Sequence, residues 1–157
     1  MNKNVLLLLF LFLTLVGYSQ SKQINFIIVV DGELSQIYSD QIKILDEQNV
    51  ETIIKVNYQP GELSMTNQDY DKILSLSNNQ ITIKVRHIET VNDKTKHFDF
   101  EITDFNKNWL TKGTYFILYI YNTEKKKYRK LYNPIIGKAF TYDYDWSEGS
   151  MRRAKKK

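Results

Sequence analysis

Residues 81–103 read ITIKVRHIETVNDKTKHFDFEIT. Apolar and polar side chains alternate on both sides of Asn92-Asp93, the period-two signature of a half-buried strand. Ile81, Ile83 and Val85 share one face, and Phe98, Phe100 and Ile102 share another. In an antiparallel pair, the numbers of facing residues have a constant sum. Matching an odd-numbered apolar set to an even-numbered one requires an odd sum. A two-residue turn at Asn92-Asp93 gives 185, and these residue types favour such a turn. The stretch therefore reads as an antiparallel hairpin.

The same period continues toward the C-terminus. Residues 113–121 (GTYFILYIY) are apolar on both faces and read as a central strand, with Tyr115, Ile117, Tyr119 and Tyr121 along one side. Residues 128–132 and 138–144 read as the last two strands, joined through Asn133-Pro134 and Gly137. Phe140, Tyr142, Tyr144 and Trp146 then lie on one face. Thr141, Asp143 and Asp145 lie on the other, expected to be solvated with its acids near basic side chains.

Toward the N-terminus, residues 23–30 (QINFIIVV) place Ile24, Phe26, Ile28 and Val30 on one face and stop at Asp31-Gly32. Residues 40–45 and 50–58 read as further strands, and 62–65 as an extended piece after Pro60-Gly61. One helix is predicted over 67–75. Thr66 stands three residues before Asp69, as in a capping box, and Tyr70, Ile73 and Leu74 form an apolar stripe. The expected fold is all-β: an antiparallel β-sandwich of about seven to eight strands with one short helix.

Residues 1–19 read differently. Lys3 lies in a short polar start, residues 5–16 are apolar except Thr14, and small Gly17 and Ser19 precede a polar chain. That is the layout of a cleaved secretory signal. The apolar run of about 12 residues falls short of the roughly 20 needed to cross a bilayer as a helix. The expected organisation is a signal peptide over 1–19, a β-sandwich domain over 20–150 and a basic, disordered tail over 151–157. The expected location is the periplasm or the extracellular space, with no transmembrane anchor after cleavage. The chain has no Cys, which excludes disulfides, thiolate metal sites and Cys nucleophiles.

Charge is concentrated late. Residues 125–157 carry 11 Lys and Arg against 3 Asp and Glu. Two runs account for most of it. Lys125, Lys126, Lys127, Arg129 and Lys130 surround Tyr128, and Arg152, Arg153, Lys155, Lys156 and Lys157 close the chain. Such runs suit an anionic lipid, an anionic polysaccharide or an acidic envelope protein. They also suit a solvated turn, an edge strand protected by Lys, or a solubilising end. Nucleic acid is not an expected partner of an exported chain.

The stretch Leu110-Thr111-Lys112-Gly113-Thr114-Tyr115 resembles the L-x-x-G-x-Y entry to a late strand in bacterial immunoglobulin-like and transthyretin-like sandwiches. The resemblance implies that Tyr115 forms a corner whose hydroxyl bonds nearby backbone. More broadly, the chain resembles the small, exported, uncharacterised β proteins of Gram-negative envelopes, which implies a fold and an address but no reaction.

Other chemistry is sparse. His87 and His97 sit on adjacent strands, but with a sum of 185 they face opposite sides, against a shared metal. Asp143 and Asp145 lack the further oxygen ligands and Gly of a calcium loop. There is no G-x-S-x-G, H-E-x-x-H or P-loop motif. The expectation is a non-catalytic interaction or structural module of the bacterial cell envelope, without cofactor or metal. The alternative is a ligand or glycan binder that uses the Tyr row as an aromatic face.

Overall fold

A computed structural model describes residues 21–35, 43–45, 51–77, 79–153 and 155–156. The signal-peptide reading, half of the strand expected over 40–45, and Lys157 lie outside these residues. The described chain is mostly β, arranged in two sheets.

The first sheet holds β1 (Ser21–Val30), β2 (Glu33–Leu34), β5 (Val56–Gln59), β6 (Gly61–Thr66), β9 (Phe116–Asn122), β10 (Phe140–Trp146) and β11 (Gly149–Met151). Its order is β11-β10-β9-β1-β6-β5, with β2 folded back on β1. The second sheet is antiparallel, with order β4-β3-β7-β8. It comprises β3 (Lys43–Leu45), β4 (Glu51–Thr52), β7 (Gln80–Val91) and β8 (Lys94–Asn106). Three helices accompany the sheets: α1 (Asn67–Ser75), α2 (Lys107–Thr111) and α3 (Lys126–Leu131).

The hairpin that opens the sequence argument forms as read. His87 faces Phe98 and Ile88 faces His97, and Asn92 and Asp93 take φ of 50° and 59°, the left-handed pair a type I′ turn requires. A bulge between Ile81 and Ile83 shifts the register beyond it. The helix over 67–75 also forms, with Thr66 Oγ1 accepting from the Asp69 N–H at 3.1 Å. Ile73 from its stripe is buried, while Leu74 is exposed.

Three expectations are corrected. First, the first sheet is mixed, because β1 and β9 pair in parallel, Phe26 beside Phe116 and Val30 beside Ile120. Parallel neighbours need a long crossover, and here everything from β2 to α2, the whole second sheet included, lies between them. Period two reveals a strand but not its partner or direction. Second, residues 50–58 are not one strand: β4 belongs to the second sheet and β5 to the first. The doubled Ile53-Ile54 breaks the alternation, and the chain changes sheet there, with Ile54 buried and Ile53 exposed. Third, residues 128–132 form most of a helix rather than a strand, and α2 makes a third helix.

Aromatic rings carry the core across both sheets. Phe26 of β1 stacks on Phe116 of β9 at 5.4 Å and approaches Phe105 of β8 at 6.1 Å. Phe100 of β8 meets Phe140 of β10 edge-on at 5.1 Å. Tyr58 stands edge-on to Phe26, and its hydroxyl accepts from the Ile28 N–H at 2.8 Å.

Candidate anionic-partner surface

The side of the first sheet away from these Phe rings is not bare. Along β9, Tyr119 and Tyr121 alternate with the core residues Leu118 and Ile120. Along β10, Thr141 and Asp143 alternate with the core residues Tyr142 and Tyr144. Asp143 is only 3% exposed, so this face is not the solvated one expected. Two late segments cover it, α3 and the end of the chain.

α3 is held by aromatics. Tyr132, just past its end, stacks on Tyr121 at 4.5 Å, and Tyr128 tilts against the same ring at 5.5 Å. The Tyr128 hydroxyl donates to the Asp31 carbonyl oxygen. Spacing i, i+4 aligns Tyr128 and Tyr132 on one helical face. It aligns them equally well on one strand face, which is why the alternation misled.

Lys125 caps the helix and turns its ammonium to two carboxylates. Nζ lies 2.7 Å from Asp31 Oδ2 and 2.6 Å from Glu89 Oε1. Burial opposes that charge, yet the two carboxylates outweigh it and hold the Lys125 pKa above its usual value. Lys126, Lys127, Arg129 and Lys130 are exposed and in no ion pair among the described residues. The Lys127 ammonium sits over the Tyr128 ring at 5.0 Å.

The chain end, expected to be disordered, is tied down through residues 151–153 and 155–156. β11 pairs with β10, Trp146 opposite Gly149. The Arg152 guanidinium reaches Asp145 at 2.6 Å, lies over the Tyr119 ring at 5.4 Å and donates to the Tyr144 carbonyl. Its pKa is raised by the Asp145 hydrogen bond. The Arg153 backbone N–H donates to Asp143 Oδ1 at 2.6 Å. Its guanidinium reaches Asp104 at 3.2 Å and covers Tyr142 at 5.0 Å. Burial, with the Asp104 carboxylate nearby, pushes the Tyr144 hydroxyl up to about 12.

The two basic runs then meet. Lys155 bridges Tyr132. The Lys156 N–H donates to the Leu131 carbonyl at 2.9 Å, and its ammonium donates to the Arg129 carbonyl at 2.6 Å. A cation at the carbonyl end of a helix is favourable. The result is one exposed basic surface made of Lys126, Lys127, Arg129, Lys130, Lys155 and Lys156. Leu131 (40% exposed) ends α3, and Ile136 (99% exposed) tops the following turn.

The other expected features separate. Lys125, Arg152 and Arg153 pair with acids of the sheets and turns rather than joining that surface. Tyr115 is 42% exposed. The tyrosine hydroxyls that donate to backbone include those of Tyr70, to Thr111, and Tyr128, to Asp31. His87 and His97 face opposite sides.

His87 belongs to a polar chain that sequence reading missed. Ser35 Oγ and His87 Nδ1 share a hydrogen bond of 2.8 Å, and His87 Nε2 lies 3.6 Å from Glu89 Oε1. The order Ser, His, Glu has the outline of a catalytic triad. Ser35 is fully buried at 0% exposure, so its hydroxyl is closed to solvent. No helix among the described residues is long and apolar enough to cross a membrane.

Comparison with family models, curated proteins and solved structures finds no match to this chain.

Proposed function

We propose that this protein is an exported, non-catalytic module of the bacterial cell envelope, folded as a β-sandwich, that attaches to anionic lipid headgroups. The observation that carries the reading is the joining of α3 to residues 155–156, which pools six exposed cations from two distant runs. Each Lys or Arg near an anionic membrane surface contributes about 1 kcal/mol. The exposed Leu131 and Ile136 favour a lipid surface over a soluble acid, because apolar tips gain from entering the headgroup boundary. The sandwich reading is supported by the rings that both sheets contribute to one core. The export reading is supported by residues 1–19.

The glycan alternative draws less support. Arg152 already covers Tyr119, and Tyr132 already stacks on Tyr121. The part of the Tyr row meant to hold a sugar is taken by the chain itself.

The test is vesicle flotation with residues 20–157. The chain is expected to float with phosphatidylglycerol-containing vesicles, and not with phosphatidylcholine alone, and to detach as salt rises. Reversing Lys126, Lys127, Arg129 and Lys130 to Glu should abolish flotation without lowering the thermal midpoint. Equal flotation of that variant would contradict the proposal, and so would tighter binding to a soluble sulfated polysaccharide than to the vesicles.

A further inference from the structure

β8 is the outer strand of the second sheet, with β7 on one side and no described strand on the other. Its free edge faces a groove of about 500 Å³. Residues 97–101 of β8 form one wall, and Glu124 with Lys138 to Phe140 belongs to the other.

The turn fixes which backbone groups point into that groove. A two-residue turn makes Val91 and Lys94 the first hydrogen-bonded pair, and hydrogen-bonded pairs then recur at every second step. Lys96, Phe98 and Phe100 therefore bond to β7. Thr95, His97, Asp99 and Glu101 turn their N–H and C=O groups outward. Lys138 bears this out, because its ammonium donates to the Glu101 carbonyl oxygen at 2.7 Å. Beyond that plug, the outward groups of Thr95, His97 and Asp99 bond to no described residue.

We infer that this edge is a docking site for an extended segment of another protein, added to β8 as a further strand of the second sheet. Main-chain bonds to Thr95, His97 and Asp99 would give affinity, and alternate side chains would give selectivity. On the inner face the new strand lies beside Phe98 and Phe100, near Phe140, and calls for apolar side chains. On the outer face it lies beside Asp99, already paired with Arg86 at 2.6 Å, and Glu101, 3.9 Å from Lys138; Glu124 across the groove is in no ion pair among the described residues and calls for a cationic side chain. The occupant is thus an extended peptide of alternating apolar and basic residues, about five long. Lys94 precedes the site and Lys96 stands between Thr95 and His97, and both discourage indiscriminate edge pairing. This site uses none of the six cations of the basic surface and does not depend on them.

The test uses the folded chain and a capped five-residue peptide alternating lysine and valine, followed by amide spectra and hydrogen exchange. Saturable shifts are expected, with the His97 and Asp99 amides becoming protected. A peptide with glutamate in place of lysine should bind at least roughly tenfold more weakly. His97→Pro removes an outward donor without touching the β7 ladder, and Ala139→Trp fills the opposite wall. Both should weaken binding by roughly tenfold or more while keeping the thermal midpoint close to that of the parent. The inference fails if the lysine–valine peptide does not bind, if it binds without protecting His97 and Asp99, or if both variants bind it unchanged. It also fails if the free chain is a dimer that already protects these amides.

Discussion

Asp143 alternates with Tyr142 and Tyr144 along β10, so its opposite facing follows from period two alone. Its burial does not. Oδ1 accepts from the Arg153 N–H, and Oδ2 from the Tyr121 hydroxyl at 3.4 Å. Tyr121 belongs to the strand read over 113–121, whereas Arg153 belongs to a chain end whose docking no local pattern announces. His87 shows the same limit, since its hairpin position was legible but its contact with Ser35, 52 residues away, was not. Burial lowers the His87 pKa from 6.5, with Glu89 and Asp31 acting against the shift and Lys125 with it. The neutral ring is therefore the folded-state form. In the unfolded chain the ring binds its proton more readily, so stability is full above pH 6.5 and falls as pH drops through the lowered folded value. Thermal midpoints measured across this interval should decline on acidification, and His87→Gln should flatten that decline. Asp69 and Asp99, held below 3.8 by their bonds to Lys72 and Arg86, act below the pH at which this decline begins. An unchanged slope in the variant would contradict the assignment.

α3 marks the limit of pattern reading at the element scale. The β7–β8 hairpin was legible because an Asn-Asp turn fixes both register and geometry locally. Helix α1 was legible because its cap lies within four residues. Residues 126–131 have no side-chain cap, and their cations at i, i+3 and i, i+4 repel one another. Such a segment is helical only because Tyr128 and Tyr132 anchor it on Tyr121. Tyr128→Phe, which removes the hydroxyl bond to Asp31, should cost about 1 kcal/mol in denaturant unfolding. Tyr128→Ala should cost about 3 kcal/mol and reduce binding to anionic vesicles, because the cations lose their common platform. Wild-type stability in Tyr128→Ala would show that the helix does not need its anchor.

At the scale of the molecule, composition located the charge but not its use. The two basic runs were legible as runs, and the cations divide by surroundings. Lys125, Arg152 and Arg153 stand beside acids of the body, whereas the other described cations of the two runs gather at α3 and residues 155–156. Strand content was legible from alternation, whereas the parallel join of β1 to β9 was not, because it depends on the path of the intervening 85 residues. The central claim is that α3 and the chain end form one binding surface. It is tested by measuring anionic-vesicle affinity for three variants: Lys126→Glu with Lys127→Glu, Lys155→Glu with Lys156→Glu, and all four together. The account predicts that each pair weakens binding and that the four together abolish it, with the fold intact by thermal melting. Full affinity after reversal at 155 and 156 would contradict it, leaving α3 to act alone.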